Sequence, residues 1–119
     1  MIVRDAETLL DFYQNTVGLK MLFTDTADEG VVKHYLRFKG GLLKLIAPDK
    51  KPELPARDGD PVAGYHLLTF LVTNIADADK VLQEKGVKIQ DPLQTTGDGT
   101  QWMIFADPEG NLIELAQPA

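Results

Sequence analysis

Apolar side chains at Ala6, Leu9, Leu10, Tyr13 and Val17 recur at the three-to-four-residue spacing of an amphipathic helix. Asp5 stands before the run as an N-cap and Gly18 behind it as a stop, so the pattern predicts a helix over residues 6–17. The period then changes to two. Strands are expected over residues 20–26, 31–38 and 42–47, the last two joined at Lys39, Gly40 and Gly41. In the middle strand His34 alternates with Leu36 and Phe38, which marks it as a structural histidine. Residues 48–64 hold four of the seven prolines and many charges without apolar periodicity, a linker composition. Beyond them the order repeats, with a strand over 65–72, Asn74 as N-cap and a helix over 75–85 burying Ile75, Ala78, Val81 and Leu82. Gly86 closes that helix, and strands follow near 87–90, 100–106 and 111–116, with a Gly97-Asp98-Gly99 loop between the first two.

The repetition can be read residue by residue. Gly40-Gly41-Leu42-Leu43-Lys44-Leu45-Ile46-Ala47-Pro48 lies over Gly110-Asn111-Leu112-Ile113-Glu114-Leu115-Ala116-Gln117-Pro118 at a constant offset of 70. Val3-Arg4-Asp5 lies over Val72-Thr73-Asn74 at 69, and Gly18-Leu19 over Gly86-Val87 at 68. Two copies are too few for a solenoid, which leaves two fused copies of one β-α-β-β-β module. Module one spans 1–47, the linker 48–64 and module two 65–119, in a single domain of 119 residues. A full strand precedes Asn74 but only four residues precede Asp5, so the opening strand of module one is expected to be very short, or to belong to a longer natural chain.

Module two closes on Asp107-Pro108-Glu109-Gly110, the type I turn pattern in which proline presets the backbone angle and glycine tolerates the exit. In the strand that follows, Leu112, Glu114 and Ala116 share one face and Ile113 and Leu115 the other. A carboxylate in mid-strand among apolar neighbours needs a partner or a metal, which singles out Glu114.

Composition removes several functions. A net charge of −6 without a cluster of Lys and Arg argues against nucleic acid. No apolar run reaches membrane-spanning length and the N-terminus carries no signal-peptide apolar region, so no membrane partner is expected. The absence of cysteine fits a cytoplasmic protein. With neither serine nor cysteine, Ser-His-Asp and Cys-His nucleophile schemes are excluded, and no glycine-rich phosphate loop is present.

The tandem β-α-β-β-β repeat, the closing phrase Asp107 to Leu115, and Phe12-Tyr13 with Val17-Gly18-Leu19 together resemble the vicinal oxygen chelate superfamily, the glyoxalase, bleomycin-resistance and extradiol dioxygenase group. The resemblance covers nearly the whole chain. It implies an α+β fold in which two modules form a curved mixed sheet around a cavity that holds a small-molecule ligand. It also implies a divalent metal, zinc, nickel, manganese or iron, with ligands on the first and last strand of each module. Carried over by position, Glu114 matches a metal ligand and catalytic carboxylate, and His66 is the candidate third ligand. The family position of that histidine, however, lies five residues before the closing valine and His66 stands six before Val72. The position equivalent to Glu114 in module one holds Lys44, whose ammonium has no acceptor, so the ligand set is incomplete. Gly64 leaves room for a bulge that would turn His66 inward.

Arg37 and Lys44 would give the pocket positive charge if the Gly40-Gly41 turn puts them on one face, which suits an anionic ligand, and Trp102 is placed to stack on it. Two functions stay open. One is a metal-dependent lyase, isomerase or dioxygenase acting on a small oxygenated metabolite through Glu114 and His66. The other is a metal-free binding or resistance protein in which an ion pair of Lys44 with Glu114 replaces the metal. A homodimer is expected, because the sheet edge beside the short opening strand would recruit a partner.

Overall fold

The computed structural model describes all 119 residues, which divide into two compact units, Met1–Ala56 and Arg57–Ala119. The boundary falls inside the proline-rich stretch. Each unit is a sheet with one helical segment against it, and the strand order is the same in both.

In unit one, Asp5 caps helix α1 (Ala6–Asp11) by accepting from the Thr8 backbone N–H, and the Thr8 hydroxyl donates back to the same carboxylate. The helix expected to run to Val17 stays α-helical only to Asp11; Phe12–Thr16 form a π-helical turn closed by Val17 N–H to Phe12 O at 3.0 Å. That turn buries Phe12 and Tyr13, whose rings meet edge to face with centroids 5.2 Å apart. Strands β1 (Lys20–Asp25), β2 (Val31–Phe38) and β3 (Gly41–Pro48) form an antiparallel sheet in the order β1-β2-β3. Leu36, Leu43 and Leu45 are buried on the helix side with Leu9 and Val3. The opening strand is a single parallel bridge, Ile2 to Ile46, flanked by Val3 N–H to Ile46 O at 2.9 Å and Ile46 N–H to Met1 O at 2.8 Å.

Unit two has the full strand. β4 (Leu67–Leu71) pairs in parallel with β7 (Leu112–Gln117), which is followed by β6 (Gln101–Ala106) and β5 (Ile89–Thr95), in the order β4-β7-β6-β5. The Ile2–Ile46 bridge is the counterpart of the Leu71–Ala116 pair under the sequence repeat, so both units are built to one plan. Helix α2 (Ile75–Glu84) is capped by Asn74, and with the sheet it buries Ile75, Leu82, Met103, Phe105, Ile113 and Leu115. Truncating one of these fully buried side chains to alanine costs about 2–5 kcal/mol. β5 runs past the expected stop at Gln90 because it is the edge strand, where a register shift between Asp91 and Gln94 accommodates Pro92.

The closing phrase forms as the turn pattern requires. Asp107, only 4% exposed, accepts from the backbone N–H groups of Glu109 and Asn111 through Oδ1 and from the Asn111 side-chain amide through Oδ2. Gly110 has φ of 82°, and a Cβ there would lie 2.8 Å from Arg57 Nε, so both its backbone angle and the approach of Arg57 require glycine.

Candidate functional site

Strand register sorts the candidate side chains onto one face of each sheet, the face turned away from that unit's helix. On β7, Ile113 and Leu115 are buried toward α2, which leaves Leu112, Glu114 and Ala116 on the other side. Glu114 is flanked by Thr69 of β4 and Ile104 of β6, and Trp102 sits beside Ala116, so Trp102 and Glu114 share a face. The Thr69 hydroxyl donates to Glu114 Oε1 at 2.9 Å.

His66 lies one residue ahead of β4 and is exposed. β4 pairs with β7 without a register shift, and Leu67, Thr69 and Leu71 stand on the Glu114 face while Leu68 and Phe70 stand on the helix side. His66 has the parity of Leu68 and Phe70. Gly64, with φ of 137°, bends the chain before the strand and not within it. At the level of Leu112 the β4 residue on the Glu114 face is Leu67.

In unit one the corresponding face carries a different chemistry. Lys44 is paired with Tyr35 and Leu42 with Arg37, so Arg37 and Lys44 share a face, and Phe23 and Lys20 of β1 join them opposite Tyr35 and Arg37. Phe23 and Tyr35 stack with centroids 4.3 Å apart and planes 18° from parallel. Lys44 Nζ lies 5.0 Å from the Tyr35 ring centroid, on the β3 side of a ring that Phe23 meets from the β1 side. A cation over an exposed ring gains about 0.5–1 kcal/mol, enough to bias the lysine rotamer. Inside this unit the ion pair is Lys33 with Asp28, so Lys20, Arg37 and Lys44 have no carboxylate partner there. Phe23 and Leu42 are 52% and 55% exposed on the same face. His34 points the other way, beside Leu45; its Nδ1 is 2.9 Å from the Thr24 hydroxyl, and burial pushes its pKa below the ordinary imidazole value.

Sequence reasoning did not single out Phe23, Tyr35 or Thr69. The signal was present for Tyr35: Lys33, Tyr35 and Arg37 are the positions of β2 that alternate with the structural set His34, Leu36 and Phe38. Phe23 was hidden by the register shift between Met21 and Phe23, which changes which β1 residues face outward.

Neither unit fits a metal. No three His, Asp or Glu side chains come together in a group that could hold an ion. Glu114 has a hydroxyl and an isoleucine as its strand neighbours, and the equivalent position in unit one offers the three donors of an ammonium. No helix is long and apolar enough to cross a membrane.

Residues 1–115 match the profile of the Glyoxalase/Bleomycin resistance protein/Dioxygenase superfamily. Solved structures agree on the fold. A glyoxalase family protein from Enterococcus faecalis superposes with a TM-score of 0.78 at 24% identity, over 97% of this chain and 90% of that one. A member of the same superfamily from Sphaerobacter thermophilus gives 0.73 at 28% identity, over 98% and 91%. Lactoylglutathione lyase from Agrobacterium tumefaciens gives 0.72 at 15% identity, over 98% and 88%, a likeness of fold alone. No protein of curated function matches the chain in sequence.

Proposed function

Because the chain belongs to the glyoxalase/bleomycin resistance protein/dioxygenase superfamily, we propose that it is a metal-independent binding protein for a small oxygenated anion. The observation that carries this reading is Lys44. It stands where the repeat puts Glu114 in unit two, lies over the Tyr35 ring, and shares its face with Arg37 and Lys20, none of the three in an ion pair within the unit, the nearest carboxylates being Asp25 and Asp28 beside Lys33. In a chain of net charge −6, three cations outside any ion pair on one sheet face make the local potential more positive and favour an anion there. At ~4 Å each ammonium–carboxylate contact is worth about 1 kcal/mol in bulk water and about 4 kcal/mol in a partly shielded site, before desolvation. The unit-two face has polar and stacking groups of its own, Glu114 held by Thr69, and Trp102. The protein acts as a homodimer in this reading. The free strand edges that could pair in such a dimer are β1 in unit one and β5 in unit two.

The test combines metal and anion binding. Calorimetric titration with zinc, nickel and manganese should show no stoichiometric tight binding. A thermal-shift screen with small carboxylates, pyruvate and benzoate among them, should give stabilisation that survives a chelator and disappears in the Lys44→Gln/Arg37→Gln variant. Stoichiometric submicromolar metal binding abolished by Glu114→Ala would instead establish a metal-dependent site.

A further inference from the structure

We infer that the unit-two face carries a site of its own for an aromatic amidinium or guanidinium, with the ring beside Trp102 and the N–H fork on Glu114; this goes beyond the anion-binding reading and does not depend on it. Register lays the face out in rows. Leu71, Ala116 and Trp102 stand side by side on β4, β7 and β6, and Thr69, Glu114 and Ile104 form the next row. Ala116 is thus a small side chain between two large ones, whose strands lie about 10 Å apart, twice the spacing of paired strands. That distance leaves a slot over Ala116 in which one flat ring can stand between the indole and the leucine. Ala116 is half-buried and Leu71 is 74% exposed, so the slot is open and its second wall is free.

One end of the slot is polar. Glu114 lies two residues from Ala116 along β7, about 6.6 Å, which is the reach of a ring-borne N–H and its hydrogen bond of about 2.9 Å. The Thr69 hydroxyl donates to Glu114 Oε1, while Oε2 receives no hydrogen bond from the chain. A carboxylate only accepts, and the Thr69 oxygen, its proton committed, also accepts, so a ligand group placed here must donate more than once. A planar N–C–N fork offers parallel N–H donors and pairs with a carboxylate through two hydrogen bonds. The remaining charges of the unit favour a cation. Asp91 stands on the same face beyond Ile104, Arg57 is held at Asn111, and Lys80 and Lys85 lie on α2 and at its end. Lys88 is beside Ala106, at the other end of β6 from Trp102.

Three probes separate the contributions: benzamidine, which is flat and charged; cyclohexanecarboxamidine, charged but not flat; and benzamide, flat but neutral. Because Trp102 is the one tryptophan of the chain, its fluorescence reports on the slot directly, and benzamidine should quench it saturably. Calorimetry on the full chain should show benzamidine binding about fivefold more tightly than the cyclohexyl amidine, the size of one aromatic pair, and about tenfold more tightly than benzamide. Trp102→Leu should abolish the first difference and Glu114→Gln the second, while Lys44→Gln/Arg37→Gln should change neither. Ala116→Leu, which fills the slot from the face away from α2, should abolish binding of all three. Equal binding of the two amidines would overturn the Trp102 assignment, and benzamide binding as tightly as benzamidine would overturn the carboxylate assignment. If none of the three binds, or if binding survives Ala116→Leu, this face has no such site. The anion reading is decided by the carboxylate screen on unit one, whichever of these results is obtained.

Discussion

Replacing Asp107 tests whether the closing turn is held by its buried carboxylate or merely permitted by Pro108 and Gly110. The carboxylate accepts three hydrogen bonds, from the backbone N–H of Glu109, the backbone N–H of Asn111 and the Asn111 side-chain amide, each 2.8–2.9 Å long. Asp107→Ala removes these three hydrogen bonds, and because water reaches the half-exposed Glu109, the low end of the cost applies, about 1 kcal/mol per bond and about 3 kcal/mol in all. Asp107→Asn keeps the two backbone bonds at Oδ1 but turns an NH2 toward the Asn111 NH2, for a loss of about 1.5 kcal/mol. Adding Asn111→Asp restores a donor–acceptor pair with its direction reversed and still offers Arg57 the acceptor it uses at 2.9 Å, so about 1 kcal/mol should return. Trp102, the one tryptophan of the chain, lies on β6 of the same unit, so its fluorescence during urea unfolding reports on the turn's own sheet. An alanine variant within about 0.5 kcal/mol of the parent, or a double variant no better than Asp107→Asn, would refute the account.

Two further outcomes are expected. Because burial lowers the His34 pKa in the folded chain, the unfolded chain binds the proton more readily, and stability should be lost as pH falls from the ordinary imidazole value of about 6.5 through the folded one. Thermal melts across that range should show the slope in the parent and not in His34→Gln; equal slopes would assign it elsewhere. Light scattering at micromolar concentration should give twice the 13.1 kDa chain mass, and a monodisperse monomer would count against the dimer.

Much of the fold could be read from the sequence because its two copies corroborate each other: caps at Asp5 and Asn74, stops at Gly18 and Gly86, and closing strands at a constant offset. Strand ends were less legible. Pro92 reads as a terminator until the strand is known to be an edge, and that is a property of the sheet and not of the segment. The candidate site was legible by type and less so by direction. Arg37 and Lys44 depend on a hairpin whose two-residue turn, Lys39 and Gly40, sets their register, and the aromatic pair between the cations depends on a bulge that alternation cannot reveal. His66 shows the same sensitivity: one residue of phase separates its position from that of Leu67.

The π-helical turn at Phe12–Thr16 has a counterpart in the arithmetic of the repeat. Thirteen positions separate Asp5 from Gly18 and twelve separate Asn74 from Gly86, although both pairs do the same work as cap and stop. A regular helix would have carried the surplus residue into the strand and rotated everything after it by about 100°. The wider i→i+5 ring closed by Val17 and Phe12 swallows it within a single turn, so that Leu9 and Tyr13 stay buried and Leu19 reaches its place in the core. The turn thus takes up, where it occurs, the one residue by which the first cap-to-stop interval exceeds the second. Removing one residue between Tyr13 and Val17 should regenerate an ordinary helix and make the two cap-to-stop intervals equal.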